Sequence, residues 1–299
     1  MNVGIIGSGS WARALATLTA EAGIRPRIGY QKKPLAGFSG SPNLAAVAKE
    51  SDLVFFAVGL ARIRETIKKA QLSPANHVVI AVRGLEPHTG AWPSQIVQEE
   101  SAAHRVAVLA GPALPDEIIH RRPTAFVAAS QYQEVQKRIQ KALHSPICRL
   151  YTSFDLAGVE LAGAMVRVLS IALGITDGLQ QGVGVRGVVI TRGLHEVTRL
   201  GVALGAQEST FYGLSGLGDL VSCASLPSHK GYAAGRALNS GKNIPPDLLH
   251  ELQSILQIAK QHNIELPITE AITAIALGKL QPRLAINMLM RRAATQENS

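Results

Sequence analysis

Asn2-Val3-Gly4-Ile5-Ile6-Gly7-Ser8-Gly9-Ser10-Trp11-Ala12 is the stretch from which the rest of the chain can be read. Val3, Ile5 and Ile6 predict a short strand buried on both faces, while Ala14, Leu15, Leu18 and Ala22 fall at helical spacing beyond the turn. Strand, glycine turn and helix thus follow in the order that a dinucleotide-binding unit requires. Gly7 permits the tight turn, Gly9 lets backbone approach a pyrophosphate, and Ala12 is small enough for helix to pack on strand. Ser10 and Trp11 open the helix, whose N-terminal amides favour phosphate. An ordinary tight turn would use the same glycines, so the loop draws its weight from its place at the head of a strand and helix series.

Working outward, Arg25 to Tyr30 reads as a second strand. An acidic residue at its end would hold the adenosine ribose of NAD. Gln31-Lys32-Lys33 stands there instead, and two lysines suit a 2'-phosphate, which favours NADP; two solvated loop lysines are the plain alternative. Leu53 to Val58, Val78 to Val82, Val106 to Leu109 and Thr124 to Ala128 are further strands, with a crossover helix marked by Ile63, Ile67, Ala70 and Gln71. This alternation predicts an α/β fold: a Rossmann-type, doubly wound and mostly parallel sheet forming a dinucleotide-binding domain over residues 1–152. Strand signals then fade, and an all-α substrate domain is expected over residues 153–299. Asp155 is positioned to cap a long helix that is small or apolar on nearly every side. Helical spacing recurs from Arg186 to Leu204, Leu248 to Gln261, Ile268 to Leu277 and Leu284 to Arg292, with Pro267 and Pro282 expected as stops.

Composition narrows the function classes. With 299 residues, 46% of them hydrophobic and 17% charged, the chain can bury two substantial cores. Cys148 and Cys223 are far apart and lack metal-ligand spacing, so neither a disulfide framework nor a metal site is expected, and a reducing cytoplasm fits. The run from Leu53 to Ala61 is too short to cross a bilayer, and no membrane insertion is expected. The net charge of +9 is spread over Lys32-Lys33, Lys68-Lys69, Arg121-Arg122 and Arg291-Arg292 without interleaved aromatics, so the expected partner is a small anionic molecule and not nucleic acid. The small-residue helices also suit a homodimer.

Several motifs then carry a resemblance. They are Gly7-Ser8-Gly9-Ser10-Trp11, Arg83-Gly84-Leu85-Glu86, Ala110-Gly111-Pro112 with Glu117, and Gly158-Val159-Glu160-Leu161. Gly174-Ile175-Thr176-Asp177-Gly178-Leu179, Ile190-Thr191-Arg192-Gly193-Leu194 with Arg199-Leu200-Gly201, and Gly216-Leu217-Gly218-Asp219-Leu220 follow in order. Along nearly its whole length the chain resembles the soluble NAD(P)-dependent glycerol-3-phosphate dehydrogenases. The resemblance implies hydride transfer between a nicotinamide and C2 of a small phosphorylated alcohol, with a lysine managing the proton on the C2 oxygen. At that lysine's position stands Val166, and at the following asparagine's position Arg167; no lysine occurs between Lys141 and Lys230. The lysine before the glycine is Arg83, which stays charged but cannot act as a base. Ala113 replaces a small hydroxyl residue after Gly111-Pro112, and Lys230-Gly231, preceded by His229, falls at the family's Arg-Asn pair.

The glycine motif and the resemblance together give Gly7, Gly9, Ser10, Trp11, Ala12, Lys230 and Asp247 for the cofactor, and local chemistry adds Lys32 and Lys33. The resemblance points to Arg83, Gly111, Ala113, Arg167, Asp219 and Lys230 for the substrate, with Asp219 and Arg83 as chemical groups; His229 joins them because an imidazole could replace the missing proton carrier. Asp219 has a helix cap as its alternative role, and His195 and His229 could line helices. Arg186 and Arg192 suit either structural ion pairs or phosphate, and Glu160 is a further ionic candidate near Arg167. Two functions follow: an NAD(P)-dependent oxidoreductase with a substituted proton carrier, or a catalytically impaired paralogue that senses ligand or redox state.

Overall fold

A computed structural model describes residues 1–224 and 226–291. Eight strands, β1 (Val3–Ile6), β2 (Arg27–Gly29), β3 (Gly40–Ser41), β4 (Leu53–Phe56), β5 (His77–Ile80), β6 (Arg105–Ala110), β7 (Thr124–Ala129) and β8 (Cys148–Ser153), form one sheet in the order β3-β2-β1-β4-β5-β6-β7-β8. The first six are parallel; β7 runs antiparallel to β6, and β8 parallel to β7. Strand order reverses direction between β1 and β4, which opens a crevice at the carboxyl ends of the strands. Two strands escape the sequence reading. β3 has only two residues, and β8 buries Cys148 and Leu150 while Arg149 and Tyr151 face out, a short alternation hidden among polar residues.

The helices of this half are α1 (Ser10–Glu21), α2 (Leu44–Lys49), α3 (Ile63–Ala70), α4 (Pro93–Glu100), α5 (Pro115–Ile119) and α6 (Gln133–Leu143). Alternation along the strands sorts them onto two faces. Ile5 and Phe55 pack with Leu15 and Leu18 of α1, whereas Ile6 and Phe56 pack with Ile63 and Ile67 of α3. Each such side chain stabilises the sheet by roughly 1.5–3 kcal/mol.

The remaining helices are α7 (Leu156–Gly178), α8 (Val183–Ala203), α9 (Glu208–Tyr212), α10 (Asp219–Cys223), α11 (Lys230–Leu238), α12 (Pro246–Gln261), α13 (Pro267–Ala276) and α14 (Pro282–Met290). Asp155 caps α7 as expected, its Oδ1 accepting from the Gly158 amide at 2.9 Å. α7 is long and apolar enough to cross a membrane, but 78% of its most apolar window is buried inside the protein, where it is the shaft of the helical core. Pro267 and Pro282 start helices and do not stop them: each occupies a first-turn position, where the missing N–H has no intrahelical acceptor to lose. Arg292, the expected end of the last helix, lies outside the described residues.

Candidate functional site

Gly7 adopts a φ of +139°, and a Cβ there would lie 2.3 Å from the Ala57 carbonyl oxygen, so the turn after β1 admits only glycine. A Cβ built on Gly9 meets nothing within 4 Å, and no side chain caps the α1 N-terminus. An uncapped helix N-terminus beside an open glycine is a place where an anion is favoured. Ser10 is exposed at the first turn, Ala12 is fully buried against the sheet, and Trp11 packs edge-on to Phe126 with ring centroids 6.4 Å apart. The Gly7 amide donates to the Gly29 carbonyl at 2.8 Å, bringing the end of β2 beside this turn, with Lys32 and Lys33 exposed beyond it.

A second group of residues meets two strands away, where the chain leaves β5. Arg83 Nη1 pairs with Asp219 Oδ2 at 2.5 Å, and Nη2 donates to the Gly111 carbonyl at 2.9 Å. Arg167, from α7, donates through Nη1 to the Arg83 carbonyl at 3.0 Å. Its Nε lies 2.9 Å from Glu251 Oε2 and its Nη2 3.5 Å from Asp247 Oδ2. Glu251 Oε1 in turn accepts from the Leu85 amide at 3.3 Å. Between them Gly84 has a φ of +104°, and a Cβ there would sit 2.2 Å from Glu251 Oε1. The Arg83-Gly84-Leu85 turn of the sheet is thus gripped by α7, α10 and α12 of the helical half.

Charge in this cluster is balanced by contact. Burial would lower the pKa of Arg83, but Asp219 raises it above the ordinary value, so the guanidinium stays charged. Burial pushes the Asp219 carboxyl up, with Arg83 and the Cys223 thiol pulling the other way. Glu251 is pushed up to about 7 by burial, against the pull of Arg167. His229 has a buried Nδ1 with no hydrogen-bond partner among the described residues. Burial, then the charges of Arg83 and Arg167, bring its imidazole down to about 4, so it is neutral at neutral pH.

The structure thus gathers Arg83, Gly111, Arg167, Asp219, Asp247 and His229, while Lys230 is exposed at the start of α11 and Ala113 is packed into the sheet core. Asp219 does not cap α10; its carboxylate goes to Arg83 and Cys223. Val166 is 2% exposed within the helical core. At Gly231 α11 crosses α7 so closely that a Cβ would lie 2.4 Å from the Arg167 carbonyl. Glu160 is drawn away to the N-terminus of α4, accepting from the Ser94 amide at 2.9 Å and its hydroxyl at 2.5 Å. Arg186 pairs with Asp177 and donates to the Ala224 carbonyl at 3.0 Å. Glu86 binds Arg64 and Thr89. Glu251 escaped the sequence reading, although its spacing with Leu248, Leu252 and Ile255 places a carboxylate on an apolar helical face.

Comparison with known proteins agrees with this architecture. Residues 33–136 match the family described as NAD-dependent glycerol-3-phosphate dehydrogenase N-terminus, and residues 155–287 match its C-terminus. A glycerol-3-phosphate dehydrogenase [NAD(P)+] of Nostoc sp. is 37% identical, the alignment covering 97% of this chain and 96% of the relative. The Thermobifida fusca protein of the same name is 35% identical over 99% of this chain and 98% of its own. The solved structure of glycerol-3-phosphate dehydrogenase from Coxiella burnetii superposes with a TM-score of 0.89 at 27% identity, covering 97% of this chain and 99% of that one. A ketopantoate reductase from Ralstonia eutropha, with a TM-score of 0.59 at 17% identity, shares the fold alone. With its glycine turn, its charged cluster where sheet and helices meet and these full-length relatives, the chain belongs to the NAD(P)-dependent glycerol-3-phosphate dehydrogenase family.

Proposed function

We propose that the chain is an NAD(P)-dependent oxidoreductase acting on a small phosphorylated alcohol or its ketone, with an imidazole in place of the family's lysine. The observation that carries the proposal is the Arg83–Asp219 pair at the sheet edge that also holds the glycine turn, beside a neutral His229. The names of the relatives, glycerol-3-phosphate dehydrogenase [NAD(P)+], support the substrate class and cofactor.

The open face of Gly9 and the uncapped α1 amides fit a dinucleotide pyrophosphate, with Ser10 and Trp11 flanking it. The bound nicotinamide would supply or take the hydride. Asp219 fixes the Arg83 guanidinium against the Gly111 carbonyl, leaving its remaining hydrogens to hold the anionic substrate. Lys230, exposed at the start of α11, adds cationic charge for a phosphate group. The half-buried His229 imidazole, through Nε2 and not the fully buried Nδ1, accepts the proton of the C2 hydroxyl during oxidation and returns it during reduction. Depression of its pKa makes the acceptor form dominant at neutral pH, which suits oxidation of the alcohol.

The test is consumption of NADPH by purified protein with dihydroxyacetone phosphate, alongside a fluorescence titration of NADPH. Saturable binding with substrate-dependent consumption is expected. Binding without consumption of NADPH would contradict the proposed reaction.

A further inference from the structure

The end of β2 carries a hydrogen-bonded chain that fixes one arginine. Thr66, buried on α3, donates its hydroxyl proton to the Arg62 carbonyl at 2.6 Å. Having given its only proton, that hydroxyl can meet the Gln31 side chain, 3.2 Å away, only as an acceptor, so Nε2 of Gln31 faces Thr66. The carboxamide is thereby oriented, and its Oε1 accepts from Arg62 Nη1 at 3.2 Å. Gln31 lies two residues beyond Gly29, whose carbonyl accepts from the Gly7 amide. The arginine is therefore held beside the glycine turn, at the strand end where this fold places the adenosine ribose.

From this chain we infer that Arg62 reads a phosphate on the 2'-oxygen of the adenosine ribose and that Gln31 is its positioning residue; the inference rests on the dinucleotide reading above. A carboxylate at the end of β2 would accept from ribose hydroxyls. Gln31 offers none, and its carbonyl oxygen is already engaged by Arg62. Among the described residues no carboxylate lies within ion-pair distance of Arg62, Lys32 or Lys33, and the nearby Glu65 is engaged by Lys69 at 2.5 Å. The remaining guanidinium hydrogens of Arg62 match the paired oxygens of a phosphate, and the backbone-anchored carboxamide reduces the ordering needed on binding. Lys32 and Lys33, exposed as Arg62 is but without such a strut, add only a salt-screened field.

The test compares 2',5'-ADP with ADP by calorimetry on wild type, Arg62→Ala and Gln31→Glu, and follows NADPH and NADH by fluorescence. Wild type should bind 2',5'-ADP about tenfold or more tightly than ADP, and Arg62→Ala should remove most of that ratio while changing ADP by less than about twofold. Gln31→Glu should lower the ratio further, since a carboxylate beside Arg62 both neutralises it and repels the phosphate. Equal weakening of both nucleotides by Arg62→Ala would show packing on adenine, and an unchanged ratio would show no role; either overturns the inference while leaving the dinucleotide site standing. Failure of wild type to bind any of the four nucleotides would overturn both.

Discussion

At the carboxyl end of β1 the chain makes room for a ligand by leaving atoms out: Gly7 has no space for a Cβ, and Gly9 opens onto a gap. At the carboxyl end of β5, two strands away, the chain fills the crevice with charge, setting Arg83 and Arg167 against Asp219, Glu251 and Asp247. The first region is local and is made by backbone. The second exists only because helices α7, α10 and α12 bring carboxylates and a guanidinium to a turn of the sheet. The two should therefore break in opposite ways, one by adding atoms and the other by removing them.

The largest stability effect is expected at the charged end. Asp219→Ala strands the Arg83 guanidinium without its buried partner, at a cost of about 3–5 kcal/mol in denaturant unfolding. A loss below about 1 kcal/mol would mean that solvent already compensates Arg83. Gly7→Ala is the counterpart at the backbone end, where a methyl group meets the Ala57 carbonyl at a φ of +139°. It should cost about 1–3 kcal/mol and abolish NADPH binding, whereas removal of neighbouring exposed side chains should not. Retained NADPH affinity in Gly7→Ala would contradict a backbone-built turn.

Smaller effects follow from titration and from the surface lysines. Burial holds the Glu160 carboxyl up at about 7 from an ordinary 4.5. The folded state therefore binds the proton more tightly, and this contribution to stability is lost as pH rises from about 4.5 through about 7. Glu160→Gln should flatten the fall of Tm across that window; an unchanged slope would show that Glu160 is solvated. Replacing both Lys32 and Lys33 by alanine should weaken NADPH about threefold to fivefold at low salt and leave NADH unchanged, a difference that disappears at high salt. Equal losses for both cofactors would place the lysines away from the ribose.

How far each region could be read from the sequence follows the same contrast. Val3 to Ala12 carries strand, turn and helix in consecutive residues, so its period and its glycines disclose the turn directly. Leu85 and Glu251 are 166 residues apart, and their hydrogen bond is set by how α12 docks, which no local pattern encodes. Glu160 is legible as an acid in an apolar helix, but its partner Ser94 is not, and proximity in sequence to Arg167 pointed to the wrong neighbour. Asp219 keeps a helix cap as its second reading until the direction of its carboxylate is seen. Pro267 and Pro282 look like stops because proline breaks helix interiors, while the same missing donor is harmless at a helix start.

In the proposed reaction one imidazole does the proton work of the lysine whose position is taken by Val166. The most direct measurement is the steady-state rate of glycerol 3-phosphate oxidation by wild type and His229→Phe, with NADPH affinity measured on the same samples. A fall in kcat of roughly a hundredfold to ten-thousandfold is expected with cofactor affinity unchanged, together with a wild-type rate that holds as pH is lowered toward about 5. Full turnover by His229→Phe, or a wild-type rate that already falls through the ordinary histidine range near 6.5, would contradict that role.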